Sequence, residues 1–593
     1  MSTHTYDVVV VGAGVAGAVL SKHLTEGGLR VLVLEAGPAT AQSLDGYEQH
    51  LRTFYEAESK GPESAWPASP NAPQPDTANL RYSNGYFVQN GPQLYGSSYS
   101  RLQGGSTLHW LGVSLRMLPE DFDLRTRYGV GRDWPIRYGD LEPFYRKAEL
   151  DLGVAANVAD QKYLGLTFPD DYDYPMERVP PSYSDIWLQS AIEGLRVSLG
   201  GNAMSVRVRS YPAARNSMPR GAYRPTGATD RRSDGKTTTP FMGERCQGNT
   251  SCTPICPVQA KYNAGRTLAQ IDIRRMEIRA RSVATRVNVD PSTGAVRSIT
   301  YKRYDGSKHT VEEASGRAYV LAAHAVENAK MMLMSGLPGS SALVGCNLMD
   351  HPTLYAWGLA PRAIGPFRGP LSTSGIEDLR AGAFRAKHAA FRFDVGNDGW
   401  RASTGAPEST VMDEVMTQGR FGKALRENLA STLSRQIRMS LAVEQLPDAS
   451  NRVQLDHRFL DPLGNPRPSI DYRIDDYTRA GMVEATRVAK AIFDKAGIED
   501  RSDPSNGKWF PSVTYGDLVF HYHGMGHFAG THLMGDNRKT SVVDHHQRSW
   551  DHHNLYLIGS GSFPTMGTSN PTLTIAALAI RTAEHLVSEL KND

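Results

Sequence analysis

Hydrophobic and polar positions repeat with two different periods along this chain, and the change from one to the other marks its elements. Tyr6 to Val11 is a short β-branched apolar run, Val19, Leu20 and Leu24 follow at helical spacing, and Leu29 to Leu34 is a second apolar run ending at Glu35. Short apolar runs bounded by glycine read as buried strands, and residues three to four apart share one helical face. The same reading predicts a helix over Asp140 to Leu152, with Leu141, Phe144, Tyr145, Ala148 and Leu152 on one side. A strand over Ala318 to Leu321 and a helix over Ala325 to Met334 come next. Strands over Asn451 to Leu455 and Ser469 to Tyr472 precede a helix around Met482 to Ala496. Near the end, a strand over Leu555 to Ile558 leads through a glycine-rich loop to a helix over Leu573 to Leu590. Strand and helix alternate at both ends of the chain with a strand-rich stretch between, which predicts an α/β protein in which a substrate domain interrupts a nucleotide domain. Pro62 to Asn79, rich in Pro, Ser and Asn around Trp66, follows neither period and reads as a long ordered excursion or lid.

The punctuation between these elements carries chemistry. Between the first strand and helix stands Gly12-Ala-Gly14-Val-Ala-Gly17. Gly12 permits the tight turn, Gly14 lets the backbone approach a pyrophosphate, and Gly17 lets the helix pack on the strand, so phosphate sits at the positive end of the helix. Glu35, about 20 residues on, is placed to accept hydrogen bonds from an adenosine ribose and disfavours a 2′-phosphate, so FAD or NAD fits better than NADP. A second glycine-led loop, Gln103-Gly104-Gly105-Ser-Thr-Leu-His109-Trp110, carries a histidine and a tryptophan. A third runs from Gly559 to Asn570-Pro571-Thr572 and opens on a helix, again pointing amides at a ligand.

Composition narrows the partners. The chain has 593 residues, too many for one core. Its 65 basic and 62 acidic residues leave a net charge of +3, too balanced to steer it onto a polyanion, so no nucleic acid is expected. No apolar run approaches the ~18 to 20 residues that span a bilayer, and nothing before Tyr6 resembles a signal peptide. The expectation is a chain without its own export signal that meets membranes only through partners. Arginines 207, 209, 215, 220, 224, 231, 232 and 245 lie among Pro, Gly, Ser and Thr, and read as a solvated loop or as a docking surface for another subunit.

Three of only four cysteines fall within eleven residues, at Cys246, Cys252 and Cys256. Such spacing does not suit disulfides. A structural zinc is one reading, but the Cys-x5-Cys-x3-Cys-Pro pattern, with its final Cys-Pro and no fourth ligand nearby, favours a three-iron cluster. Cys346 reads as a free structural thiol. His521, His523, His527 and His532 crowd the segment before the last strand, and are read as structural apart from His527, with a zinc site as the minor alternative.

The N-terminal glycine unit, His527-Phe-Ala-Gly-Thr531 and Asn570-Pro-Thr-Leu-Thr574 together resemble the glucose-methanol-choline (GMC) flavoprotein oxidoreductases, over essentially the whole chain. Tyr128-Gly-Val-Gly-Arg-Asp-Trp-Pro135, Asp140-Leu-Glu-Pro143, Cys252-Thr-Pro-Ile-Cys-Pro257 and Asn347-Leu-Met-Asp-His-Pro352 carry a closer likeness to the catalytic subunits of bacterial sugar dehydrogenases of that family. The resemblance implies a GMC fold: a Rossmann-like FAD-binding domain with an inserted α+β substrate-binding domain. On that plan 1–130 is the first FAD-binding part, 131–240 a connecting segment with an insertion near 221–240, 241–350 the cluster loop and second FAD-binding part, 351–510 the substrate domain, and 511–593 the third FAD-binding part. It implies FAD held by Gly12, Gly14, Gly17, Glu35, Gly104, Gly105, His109, Trp110, Gly559, Asn570 and Thr572. In some family members a histidine in the loop of His109 is bonded covalently to flavin; a covalent link and a noncovalent neighbour both suit the spacing here.

The activity implied is oxidation of a sugar CH–OH, with His527 as base, suited by an unperturbed pKa near ~6.5, and Asn570 as its partner on the same hydroxyl. A 3Fe-4S cluster on Cys246, Cys252 and Cys256 is implied too, passing electrons singly to a cytochrome c subunit. A small companion subunit would carry the export signal to the periplasm. The chain departs from the family pattern at Gln247, where relatives often have a second adjacent cysteine, at Asn328-Ala329, where they have Thr-Pro, and at His324. The histidine-rich approach to His527 also departs from the Asn-Asn-His of the family's glucose and fructose enzymes, and within that resemblance this implies a glycoside oxidised at a ring secondary hydroxyl, a glucoside 3-dehydrogenase activity. The alternative is a sugar oxidase that reduces O₂, its cysteines purely structural.

Overall fold

In the computed structural model the described residues are 5–39, 87–97, 99–224, 243–248, 252, 256, 258–305, 308–398, 407–502 and 511–592. The excursion read over Pro62 to Asn79, Arg231, Arg232 and most of the 221–240 insertion lie outside them.

Five parallel strands form the first sheet, in the order Leu555–Leu557, Gly316–Leu321, Tyr6–Val11, Val31–Leu34, Met276–Arg279. Its centre is sealed on both faces: Val8, Val9 and Val10 of one strand and Val31, Leu32, Val33 and Leu34 of the next are wholly buried. That is why the two runs read as continuous apolar stretches rather than alternating ones. The Val15–Glu26 and Thr572–Asn592 helices pack against each other beside this sheet, so the first and last parts of the chain build one domain. Asn328 lies buried in the Ala325–Met334 helix and ties the ends of two strands. Its amide nitrogen donates to the carbonyls of Leu321, at 3.0 Å, and Ile558, at 3.1 Å.

A second, antiparallel sheet is inserted in sequence between Gly316–Leu321 and Leu555–Leu557, apart from its Val208–Ser210 edge strand. Its strands run Glu499–Asp500, Pro352–Leu359, Gln436–Val443, Phe391–Gly396, Ser372–Ile376, Val208–Ser210, and the two-residue strand His523–Gly524 adds to Pro352–Leu359. The Asp476–Ala496 helix covers it with Met482, Ala485, Val488, Ala489, Ile492 and Phe493, all buried and spaced three to four apart. Asp475 caps this helix by accepting from the Thr478 amide at 2.7 Å, and Gly497, at φ +65°, ends it in the left-handed region. A separate meander, Ser282–Val289, Val296–Asp305 and Lys308–Ala314, lies between two strands of the first sheet in sequence.

One prediction about charge is corrected. Arg215, read as part of a solvated or docking loop, is buried: its Nε donates to the Leu111 carbonyl and its Nη1 to the Ser372 carbonyl, each at 2.8 Å. Arg209 is half-buried and pairs with Asp378 at 2.9 Å. Arg207, Arg224 and Arg245 are exposed.

Candidate active site

The glycine turn after the first strand has the shape its residues predict. Gly12 sits at φ +102°, a conformation costly for any other residue, and a Cβ on Gly17 would lie 2.0 Å from the Gly12 carbonyl oxygen. Gly14 has open space where its Cβ would stand, and no side chain caps the helix it precedes. The helix N-terminus is therefore a cradle for an anion, open on the side a pyrophosphate would approach. Glu35, at the carboxyl end of the neighbouring strand, accepts from the amides of Ala13 at 2.8 Å and Gly37 at 2.7 Å. Each carboxylate oxygen keeps a lone pair for a ribose hydroxyl. Gly105 approaches Gly14 closely enough that its Cβ would meet the Gly14 Cα at 3.2 Å, and Gly559, at φ +101°, borders open space. Strand ends, glycines and helix N-terminus thus suit a dinucleotide such as FAD.

His527 and Asn570 reach one another from different elements. The ladder of Pro352 with Gly524 and Thr353 with His523, and the bridge of Met349 with Ala529, hold the segment of His527 beside Asp350 and His351. Asp350 is buried; its Oδ1 accepts from the backbone amides of His351, at 2.7 Å, and His527, at 3.1 Å, while Ser97 donates to its Oδ2. Asn570 lies at the start of the Thr572–Asn592 helix, and its Nδ2 is 3.3 Å from Nε2 of His527. On the other side of His527, its Nδ1 is 2.8 Å from Nδ1 of His351, whose Nε2 faces the Gly567 carbonyl at 2.8 Å. Burial holds His527 well below the usual histidine range, helped by His351 and by the Arg392 charge. Burial also lowers His351 to about 3.

Two buried arginines of the inserted sheet's side hold the loop before Asn570. Arg392 donates from Nε to the Thr568 carbonyl at 2.8 Å and from Nη2 to Asn570 Oδ1 at 2.9 Å, with its charge matched by Asp394. Arg380 donates to Thr568 Oγ1 at 3.0 Å and to the Ser569 hydroxyl. Sequence reasoning missed both arginines and His351. The signal available for His351 was the Asp-His-Pro tripeptide immediately before a strand.

The cysteine loop touches the loop of His109. Lys261, buried, donates from Nζ to the carbonyls of both Trp110 and Cys252. Trp110 Nε1 donates to the Tyr262 carbonyl at 2.8 Å, and the Ala264 amide to Thr107 Oγ1 at 2.9 Å. His109 Nδ1 lies 3.3 Å from Ser100 Oγ, and burial, then the Lys261 charge, lowers it to about 4. Cys252 and Cys256 are buried and Cys246 half-buried. Burial pushes the Cys246 thiol up, with the Arg215 charge opposing it, and burial lowers Lys261 to about 8. Among the described residues no three His, Cys, Asp or Glu side chains gather on a single-ion point. The donor chemistry suits iron and sulfide, but the thiols as placed do not close on a metal. His532, buried, is 3.2 Å from Asn328 Nδ2, and His523 Nδ1 bonds the Gly524 carbonyl.

Comparison with known proteins agrees with this geometry. Two family models, both described as GMC oxidoreductase, match residues 176–353 and 447–579. The fructose dehydrogenase large subunit of Gluconobacter japonicus is 29% identical over 99% of each chain. The gluconate 2-dehydrogenase flavoprotein of Pantoea cypripedii is 24% identical over 99% of this chain and 94% of its own. The C-glycoside 3-oxidase of Microbacterium trichothecenolyticum is 23% identical over 100% and 99%. Among solved structures, pyridoxine 4-oxidase from Mesorbium loti superposes with a TM-score of 0.59 at 17% identity, covering 98% of this chain and 99% of that one, which establishes the fold. Sheet, glycine turn and family models agree that the chain is an oxidoreductase and belongs to the FAD-binding GMC family.

Proposed function

We propose that this protein is an FAD-dependent dehydrogenase that oxidises a secondary or anomeric CH–OH of a sugar or glycoside. The observation that carries the reading is the contact of His527 Nε2 with Asn570 Nδ2 at 3.3 Å, between the nucleotide-binding domain and the inserted sheet. Bound FAD would supply the acceptor for the carbon-bound hydrogen as a hydride. The Gly12 to Gly17 turn and Glu35 would hold its pyrophosphate and ribose, and the loops of Gly104 to Trp110 and Gly559 to Thr572 its remaining length. His527 takes the hydroxyl proton at Nε2, and Asn570 Nδ2 donates to the same oxygen as it gains negative charge. The proton then leaves His527 for solvent, and the C=O product departs.

The likeness to dehydrogenases of fructose and gluconate supports a sugar substrate and an acceptor other than oxygen. A 3Fe-4S cluster on Cys246, Cys252 and Cys256 is supported by their sequence spacing alone, since the thiols as placed do not gather on a single-ion point. A cytochrome c subunit would receive the electrons, and a small companion subunit would carry the chain to the periplasm. The second reading, an oxidase reducing O₂, is favoured by the C-glycoside 3-oxidase relative, which also supports ring oxidation at C3. Anaerobic mixing of the holoenzyme with glucose, fructose, gluconate and methyl glucoside, followed by product analysis, tests substrate and position together. His527→Ala should abolish sugar-dependent flavin bleaching with flavin still bound; normal bleaching sinks the reading. Brisk peroxide formation with no iron or acid-labile sulfide replaces the dehydrogenase with the oxidase.

A further inference from the structure

The hydrogens around His527 can be placed by chemistry alone. A carbonyl oxygen only accepts, so His351 Nε2, 2.8 Å from the Gly567 carbonyl, carries a hydrogen. Neutral imidazole has one N–H, which leaves His351 Nδ1 as an acceptor. That atom lies 2.8 Å from Nδ1 of His527, so His527 carries its hydrogen there and its Nε2 is a bare lone pair. The opposite side gives the same answer independently. A guanidinium only donates, so the Asn570 atom 2.9 Å from Arg392 Nη2 is the amide oxygen, and the amide NH₂ turns toward His527 Nε2. A donor faces the nitrogen that the first argument left without hydrogen.

We propose that His351 is a positioning residue that fixes His527 in the tautomer whose Nε2 is the base, by accepting the Nδ1–H and anchoring its own Nε2–H on the Gly567 carbonyl. This rests on the reading of His527 as the base. The role differs from that of Asp350, which grips the His527 backbone but does not touch the ring nitrogens. It differs also from a carboxylate behind a catalytic histidine, because His351 is neutral: its burial, at 0% exposure, keeps it from taking a proton and reversing the chain of donors. The ring planes stand at 90°, so the lone pair of one ring meets the N–H of the other edge-on. Without an acceptor at Nδ1 the hydrogen of His527 is free to sit on Nε2, where the imidazole cannot take the substrate proton. A wrong tautomer behind a catalytic histidine costs about 10⁴-fold in the serine-protease triad.

Two substitutions separate polarity from bulk. His351→Gln offers an amide oxygen to His527 and an NH₂ to Gly567, repeating the donor and acceptor order; His351→Leu fills the space with neither. Holoenzymes are reduced anaerobically with whichever of glucose, fructose, gluconate or methyl glucoside bleaches the wild-type flavin fastest. For His351→Leu the limiting rate of reduction should fall about 10²- to 10³-fold with the half-saturating sugar concentration within about threefold of wild type. His351→Gln should recover at least about tenfold of that loss. A Leu variant that reduces at the wild-type rate, or a Gln variant no better than Leu with flavin fully bound in both, overturns the proposal. Should His351→Leu fail to fold, nitrogen-15 spectra of histidine-labelled wild type decide: a hydrogen-free Nε2 on His527, identified by the signal lost in His527→Ala, is expected, and a protonated Nε2 overturns it. If His527→Ala itself reduces flavin normally, the base assignment fails; loss in His527→Ala with indifferent His351 variants removes only this inference.

Discussion

Arg392 lies wholly buried between the inserted sheet and the Thr568 to Asn570 loop, and its removal perturbs stability and rate by separable amounts. Its Nη1 pairs with Asp394 and stands 3.7 Å from Glu377, while Nε and Nη2 grip the Thr568 carbonyl and Asn570 Oδ1. Arg392→Met keeps the aliphatic stem but strands Asp394 without its cation. Breaking one side of a buried pair costs about 3–5 kcal/mol. The lower end applies here, because the Asp394 side chain is 14% exposed and Arg380 remains 3.3 Å from Glu377. Arg392→Lys keeps the charge but loses the fork that reaches two acceptors at once, which costs roughly 1–2 kcal/mol. In both variants the Asn570 amide loses its fixed orientation, and limiting flavin reduction should fall by about 10²-fold, the value of one misplaced donor at a developing oxyanion. Urea unfolding followed by flavin fluorescence reads the first quantity and anaerobic stopped-flow the second. An Arg392→Lys enzyme that keeps the wild-type rate refutes the reasoning, as does a rate that falls in both variants only in step with unfolded protein.

Flavin reduction should show no inflection near pH 6.5: a base whose pKa is held down is present above that pKa and lost only as pH falls through it, so the rate stays level from pH 8 to below 6.5, measured by anaerobic stopped-flow. Stability moves in the same direction. His351 and His532, wholly buried and each lowered to about 3, take up protons on unfolding once pH drops below about 6.5, so each removes up to about 1.4 kcal/mol per pH unit between there and pH 3. Urea midpoints at pH 7 and pH 5 should differ accordingly, and His532→Gln should narrow the difference. Gly17→Ala places a methyl 2.0 Å from the Gly12 carbonyl oxygen and should weaken flavin retention on gel filtration at least about fivefold, since overpacking of this kind costs about 1–3 kcal/mol. On the proposed cluster ligands and acceptor, wild-type holoenzyme should contain iron and acid-labile sulfide, and Cys252→Ser should lose both together with cytochrome c reduction while flavin and dye-linked turnover persist; wild type without sulfide, or sulfide retained in full by the variant, contradicts the ligand assignment.

The nucleotide-binding domain was legible because its strands and turn obey local rules. Tyr6–Val11 and Ala325–Met334 have the predicted bounds, and Gly12 has the positive φ that its place in the turn requires. The inserted sheet was not, for a physical reason visible in Gln436–Val443. All eight of its residues are buried, yet Arg438 and Ser440 interrupt the apolar pattern, their polarity answered by Asp398 from 40 residues away and by each other. The same holds for Arg380, Arg385 and Arg392: side chains that read as surface are buried against Glu377, Glu444, Asp121 and Asp394. At the candidate site, His527 and Asn570 were proposed from motif resemblance, whereas His351 needed the ladder between Pro352 and Gly524 to be brought against them.

That ladder also fixes how the inserted unit is joined to the rest. The chain enters it at Pro352 and returns at Gly524, two residues paired backbone to backbone although more than 170 positions apart. Entrance and exit share one doorway, so the stretch between them is a cassette hung on the frame that carries His351 and His527, although Val208–Ser210 and Val88–Gln89 from outside it pair with its strands. The doorway is not the whole attachment, however. Arg380 and Arg392 reach out of the cassette to hold Thr568, Ser569 and Asn570, so a transplanted unit must bring two arginines in the same places, whatever sugar its walls are shaped for.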